Sequence, residues 1–160
     1  MGTVSGVQTQ IPVLLSEYQF QSKEDVDAYL ELMKTTPDYF NSLIAFEQEK
    51  AQKGLFMASY TADTVIEQCQ AFIDMGDSNY LISTFVDRIQ KLTDLSESEK
   101  SDYIQKNAYM LQTYVLPAYQ QLIKTVVELK ESGKNEEGLC YLPNGKEYYE
   151  LTVQASTGSA

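Results

Sequence analysis

Apolar positions recur every three or four residues along most of this chain, and prolines, glycines and polar clusters cut that pattern into helical runs. The longest run lies between Ser96 and Gly133, where Ile104, Ala108, Leu111, Val115, Ala118, Leu122, Val126 and Leu129 form one stripe. Ser96 and Glu99 stand at capping-box spacing, and Gly133 reads as a left-handed stop. A rod of this length spans roughly 50 Å. Pro117 removes the hydrogen bond to the Thr113 carbonyl and crowds that turn, which predicts a kink.

Shorter runs precede it. Around Pro12 a small apolar block predicts one or two helical turns over Val13 to Tyr18, with the proline at the first helical position. Ser22 with Asp25 caps a helix that places Val26, Tyr29, Leu30 and Met33 on one face and stops before Thr36-Pro37. Pro37, capped by Thr36, opens another that turns Phe40, Leu43, Ile44 and Ala51 inward and runs to Gly54, with Glu47 to Lys50 as its solvated side. Ser59 or Thr61 caps the next, whose inner residues are Val65, Ile66, Cys69, Phe72 and Ile73 and which Gly76 closes. Ile82, Phe85, Val86, Ile89 and Leu92 mark a fifth. Near the C-terminus Asn144-Gly145 carries a hairpin signal with Leu139 to Leu142 as a strand, against a helix from Lys146 to Gln154, which the Lys-Glu-Tyr-Tyr-Glu-Leu composition favours. No fixed-period repeat is found. Short connections predict an all-α, irregular antiparallel bundle around the long kinked helix, in one domain over 1–160.

Composition narrows the chemistry. The 160 residues are 43% apolar, enough for a core, and 12 basic against 23 acidic side chains leave a net charge of -11. That charge repels phosphate backbones and anionic lipid surfaces, so nucleic acid is not expected as a partner. No apolar run approaches the roughly 20 residues of a membrane span. The chain has no histidine, which removes histidine-based triads, dyads and imidazole metal sites, including the glutamate-x-x-histidine pairs of a di-iron bundle. Cys69 and Cys140 could pair or stay reduced; Cys69 falls in a helical stripe, where a buried free thiol is the better reading.

Four groups of side chains could carry chemistry. Asp74, Asp77 and Asn79 around Gly76 lack the alternation and terminal glutamate of a calcium loop and read as a helix-ending turn. Glu97, Glu99 and Asp102 suit a helix's first turn, and Glu136-Glu137 a polar hinge. Of the 12 tyrosines, Tyr103, Tyr114, Tyr119, Tyr148 and Tyr149 could line a cleft and donate to a substrate carbonyl, although packing is the commoner use of any one of them.

Read together, GVQTQIPVLLSEYQF, DVDAYLELMKTTPDYF, KGLFM and GLCYLPNGKEYYELTVQASTGS give the chain a resemblance, over nearly all its length, to a bacterial family known as domain of unknown function 885. The resemblance implies a parent several times longer that carries an H-E-x-x-P-G-H zinc-peptidase motif of gluzincin type. Zinc and a glutamate would there activate water against a peptide carbonyl. This stretch would lie upstream of that motif; it holds no such motif, so no catalytic or metal-binding residue is carried over. The opening Met-Gly-Thr-Val-Ser-Gly and the final Ser156 to Ala160, where family members continue, read as the edges of a fragment, so targeting information is expected outside it. The function implied is a non-catalytic helical segment that contributes scaffold and one wall of a substrate cleft, with Tyr148 and Tyr149 facing it. Its partners would be the remainder of the parent chain or a second copy. The alternative is an autonomous acidic module that binds a partner protein through an apolar groove.

Overall fold

Eight α-helices follow one another in the computed structural model, which describes residues 1–4, 6–134, 136–138 and 144–158; among these there is no strand. They are α1 (Val7–Glu17), α2 (Lys23–Lys34), α3 (Thr36–Gln52), α4 (Ser59–Asp74), α5 (Tyr80–Ile89), α6 (Glu97–Met110), α7 (Leu116–Leu129) and α8 (Gly145–Thr157). The helix favoured over Lys146 to Gln154 is α8, while the alternative strand at Leu139 to Leu142, and Cys140 with it, lie outside the described residues.

The long helix is the axis of the bundle. α6 packs on α2 and α5, α7 packs on α3 and most extensively on α4, and α1 closes over α4 and α5. Ser96 caps α6 as the spacing predicts, its hydroxyl accepting from the Glu99 amide while the Glu99 carboxylate accepts from the Ser96 amide at 3.0 Å. The predicted kink is a π-helical turn, Leu111–Val115, in which the Leu116 amide donates to the Leu111 carbonyl. A turn one residue wider makes room ahead of Pro117, which lacks the amide that an α-helix needs there. It also rotates the upstream face, so α6 buries Lys100, Tyr103 and Asn107, whereas Ile104 and Ala108 are only half-buried.

Four local expectations need correction. Pro12 sits inside α1, not at its start. Its missing amide would have donated to the Gln8 carbonyl, and the buried Tyr119 hydroxyl donates to that carbonyl at 2.7 Å in its place. Gly133 is extended (φ −68°), not left-handed, and a Cβ there would lie 2.4 Å from the Met57 carbonyl oxygen. Close approach, not a helix stop, is what demands glycine. The expected caps of two helices are also displaced: neither Ser59 nor Thr61 caps α4, whose N-cap is Ala58, and Thr36 is the first residue of α3, whose N-cap is Thr35. Glu47, assigned to a solvated face, is fully buried and pairs with the Lys50 ammonium at 3.0 Å and the Met1 terminal ammonium at 2.7 Å.

Two aromatic nests fill the interior. Phe40, Phe72 and Tyr119 stack between α3, α4 and α7, with Phe40 and Tyr119 edge to face at 4.9 Å. Tyr18, Phe20, Tyr29 and Phe85 form the second under α1. The Arg88 guanidinium lies over Phe20 and Tyr29, 4.5 and 5.1 Å from their centroids, and Nη1 donates to the Leu15 carbonyl at 3.0 Å and the Tyr18 carbonyl at 2.5 Å. The last turn of α1 has no basic residue of its own, so Arg88 supplies its C-terminal cation from another helix.

Candidate functional site

The five tyrosines singled out by composition divide by what their hydroxyls do. Tyr103, buried on α6, donates to the Asp27 carboxylate at 2.8 Å; burial and then that carboxylate push its phenol up to about 12. Tyr119 is committed to Gln8, and burial raises its pKa further. Tyr114 is half-buried within the π turn. Tyr148 and Tyr149 on α8 are 61% and 60% exposed. The structure therefore does not gather the five into one cleft: two anchor helices to one another, and two face outward.

α8 begins after Asn144, which takes a left-handed conformation (φ 58°) that asparagine tolerates. Of its residues only Gly145 is buried; 146–157 are all exposed. At 100° per residue, Tyr148, Leu151 and Ala155 form one apolar ridge, and Tyr149 and Val153 form a second flank separated from it by Thr152 and Ser156. Lys146, Glu147 and Glu150 occupy the opposite side. The surface thus offers aromatic and aliphatic contact with two phenolic donors.

A second surface lies between α1, α2 and α3. Ile11, Leu14, Leu15, Leu32, Thr35, Thr36 and Tyr39 enclose a cleft of about 260 Å³. Leu14 separates it from a shallower depression of about 300 Å³ lined by Val4, Thr9, Gln10 and Val13. The Thr35 hydroxyl is already donated to the Leu32 carbonyl. Such a lining accepts apolar side chains and carries no acid or base for chemistry. Sequence reasoning missed this cleft, although the first 16 residues carry no charged side chain, a signal that could have found it.

The acidic constellations are structural. Asn79 is buried, its Oδ1 accepting from the Leu81 amide and its Nδ2 donating to the Phe72 carbonyl, so its side chain is committed to the turn after Gly76. Glu99 is held down to about 2, chiefly by the Ser96 amide, then by the Ser96 hydroxyl and Lys23. Glu136 reaches back to the start of α4, accepting from the Ser59 amide at 2.7 Å and hydroxyl at 2.6 Å, which lowers its pKa. It is the cap that α4 does not make for itself. Cys69 is a buried free thiol, pushed up to about 12 by burial. Among the described residues no three acidic or thiol side chains converge as metal ligands.

A family model described as "Bacterial protein of unknown function (DUF885)" matches residues 1–160, and the chain belongs to that family. Among curated proteins none matches it. Its fold is similar to the crystal structure described as that of the putative lipoprotein from Colwellia psychrerythraea, with a TM-score of 0.88 at 18% sequence identity. That likeness covers 96% of this chain and 26% of the other, so this chain spans about a quarter of the solved protein's length.

Proposed function

We propose that this bundle is a non-catalytic supporting segment of a longer zinc-peptidase-like protein, and that α8 forms one wall of its substrate cleft with Tyr148 and Tyr149 facing the bound peptide. The observation that carries the reading is the contrast among the tyrosines. Tyr103 and Tyr119 are spent on Asp27 and Gln8, whereas Tyr148 and Tyr149 stand exposed on a helix that the bundle does not cover. Phenols on a rigid helix suit contacts to peptide carbonyls.

A zinc ion does not fit the donors here, since the chain has no histidine and its described acidic side chains do not converge. No catalytic step is assigned to these residues; zinc, its ligands and the general base belong to the remainder of the parent. The description of the solved relative as a lipoprotein supports a parent held at the cell envelope.

The test is peptide hydrolysis by the complete natural reading frame with zinc, beside the 160-residue chain alone. The complete protein is expected to cleave and the segment not to. Tyr148→Ala with Tyr149→Ala in the complete protein is expected to raise KM more than it lowers kcat. Cleavage by the segment alone, or unchanged KM in the double variant, would sink the reading.

The cleft beside α1 favours a second reading, an autonomous acidic module that takes an apolar side chain of a partner protein between Leu14, Leu32 and Tyr39. It requires a reading frame that closes near Ala160, and binding that Leu14→Asp abolishes.

A further inference from the structure

Residues 146–157 of α8 are exposed without exception, yet they form a regular helix. An isolated helix of this length is marginal in water, because the cost of nucleating it is barely met by its own hydrogen bonds. Its composition adds to the difficulty: Tyr148, Tyr149, Thr152, Val153 and Thr157 are β-branched or aromatic and are poorer helix formers than Ala or Leu. Its apolar residues fall on two faces, Leu151, Ala155 and Tyr148 on one and Tyr149 and Val153 on the other, with Thr152 and Ser156 between them, which is more than one packed neighbour covers. A helix with these properties is held by something that covers it.

The likeness to the longer solved structure leaves too little of this chain outside it to omit the 13 residues of α8. The helix thus belongs to an arrangement kept at low sequence identity within a much longer polypeptide. We infer that α8 is a two-sided wedge: its ridge of Tyr148, Leu151 and Ala155 seats on the remainder of the longer polypeptide, and the flank of Tyr149 and Val153 stays open toward the cleft. The ridge is assigned to docking because it repeats over two full turns, whereas the other flank offers one aromatic and one aliphatic residue. The ridge carries no charged side chain, so the seat is an apolar surface. This rests on the reading of the chain as part of a longer protein and narrows it: Tyr149 alone of the two exposed tyrosines faces the bound peptide, and Tyr148 is taken by the seat.

Hydrogen exchange at the amides of 148–157 tests it, in the 160-residue chain and in the complete reading frame. In the segment these amides are expected to exchange within about tenfold of the unstructured rate, and in the complete protein about 100-fold more slowly or better. Leu151→Asp in the complete protein is expected to restore fast exchange in α8 while amides near Leu122 and Val126 stay protected; Val153→Asp is not. Equal protection in both proteins, or a Leu151→Asp variant that leaves α8 protected, overturns the inference. Protection that grows with concentration in the 160-residue chain gives the ridge to a second copy and overturns it too. Activity is read separately: a docked α8 in a protein that cleaves no peptide keeps this inference and removes the peptidase reading, and cleavage with an unprotected α8 does the reverse.

Discussion

Tyr119→Phe removes one oxygen, and its effect follows from a proline over 100 residues away. In α1 the Gln8 carbonyl would accept from the amide of residue 12, but that residue is proline, so the bond is missing. The Tyr119 hydroxyl donates to that carbonyl at 2.7 Å, and both residues are buried. Deleting the hydroxyl strands a carbonyl away from water, which costs about 1–3 kcal/mol. For a domain of this size each kcal/mol lowers Tm by roughly 2–4 °C, so thermal unfolding followed by circular dichroism should show a fall of about 3–10 °C. Pro12→Ala supplies the missing amide. In that background the same substitution should cost far less, giving a coupling of about 1–2 kcal/mol between two positions that meet only through one carbonyl. An equal cost in both backgrounds would refute the substitution of one donor for another.

Arg88→Ala removes the donor to the Leu15 and Tyr18 carbonyls and the cation over Phe20 and Tyr29, and should destabilise by about 2–4 kcal/mol in urea titration, with Arg88→Lys recovering at most part because an ammonium lacks the guanidinium's planar fork. Glu99 has a folded pKa of about 2 against an ordinary 4.5, so the stability it contributes is present above pH 4.5 and is lost as pH falls toward 2. Glu99→Gln should therefore flatten the fall of Tm across that window, and an unchanged slope would count against the capping box. Cys69, buried and raised to about 12, should resist a thiol reagent at pH 8 in a Cys140→Ser background until the chain is unfolded; labelling within minutes of the native protein would contradict its burial.

The helices were legible because periodicity is a local property. Ser22 with Asp25 and Ser96 with Glu99 mark helix starts within four residues of chain, and Gly76 takes the positive φ (49°) that closes α4. Errors arose where a residue's role is set by a distant one. Gly133 is fixed by the Met57 carbonyl, Glu136 by the start of α4, and Glu47 by a burial that its charged neighbours in sequence concealed. The candidate site divides in the same way. Composition gave Tyr148 and Tyr149 no standing over three other tyrosines, the resemblance alone pointed to that pair, and packing leaves both exposed while Tyr103 and Tyr119 are spent on Asp27 and Gln8.

By itself, the sequence determined the all-helical class, the axial position of the helix after Ser96, and the lack of any histidine to hold a metal or move a proton near neutral pH. These depend on the spacing and identity of side chains, which no fold can alter. Only the tertiary structure decided that a tyrosine on α7 completes a proline-broken helix, that an arginine on α5 caps α1, and that α8 turns its apolar side outward. Each of those depends on which groups meet across the bundle, where an unpaired polar atom or an uncovered apolar face costs free energy that no local pattern records.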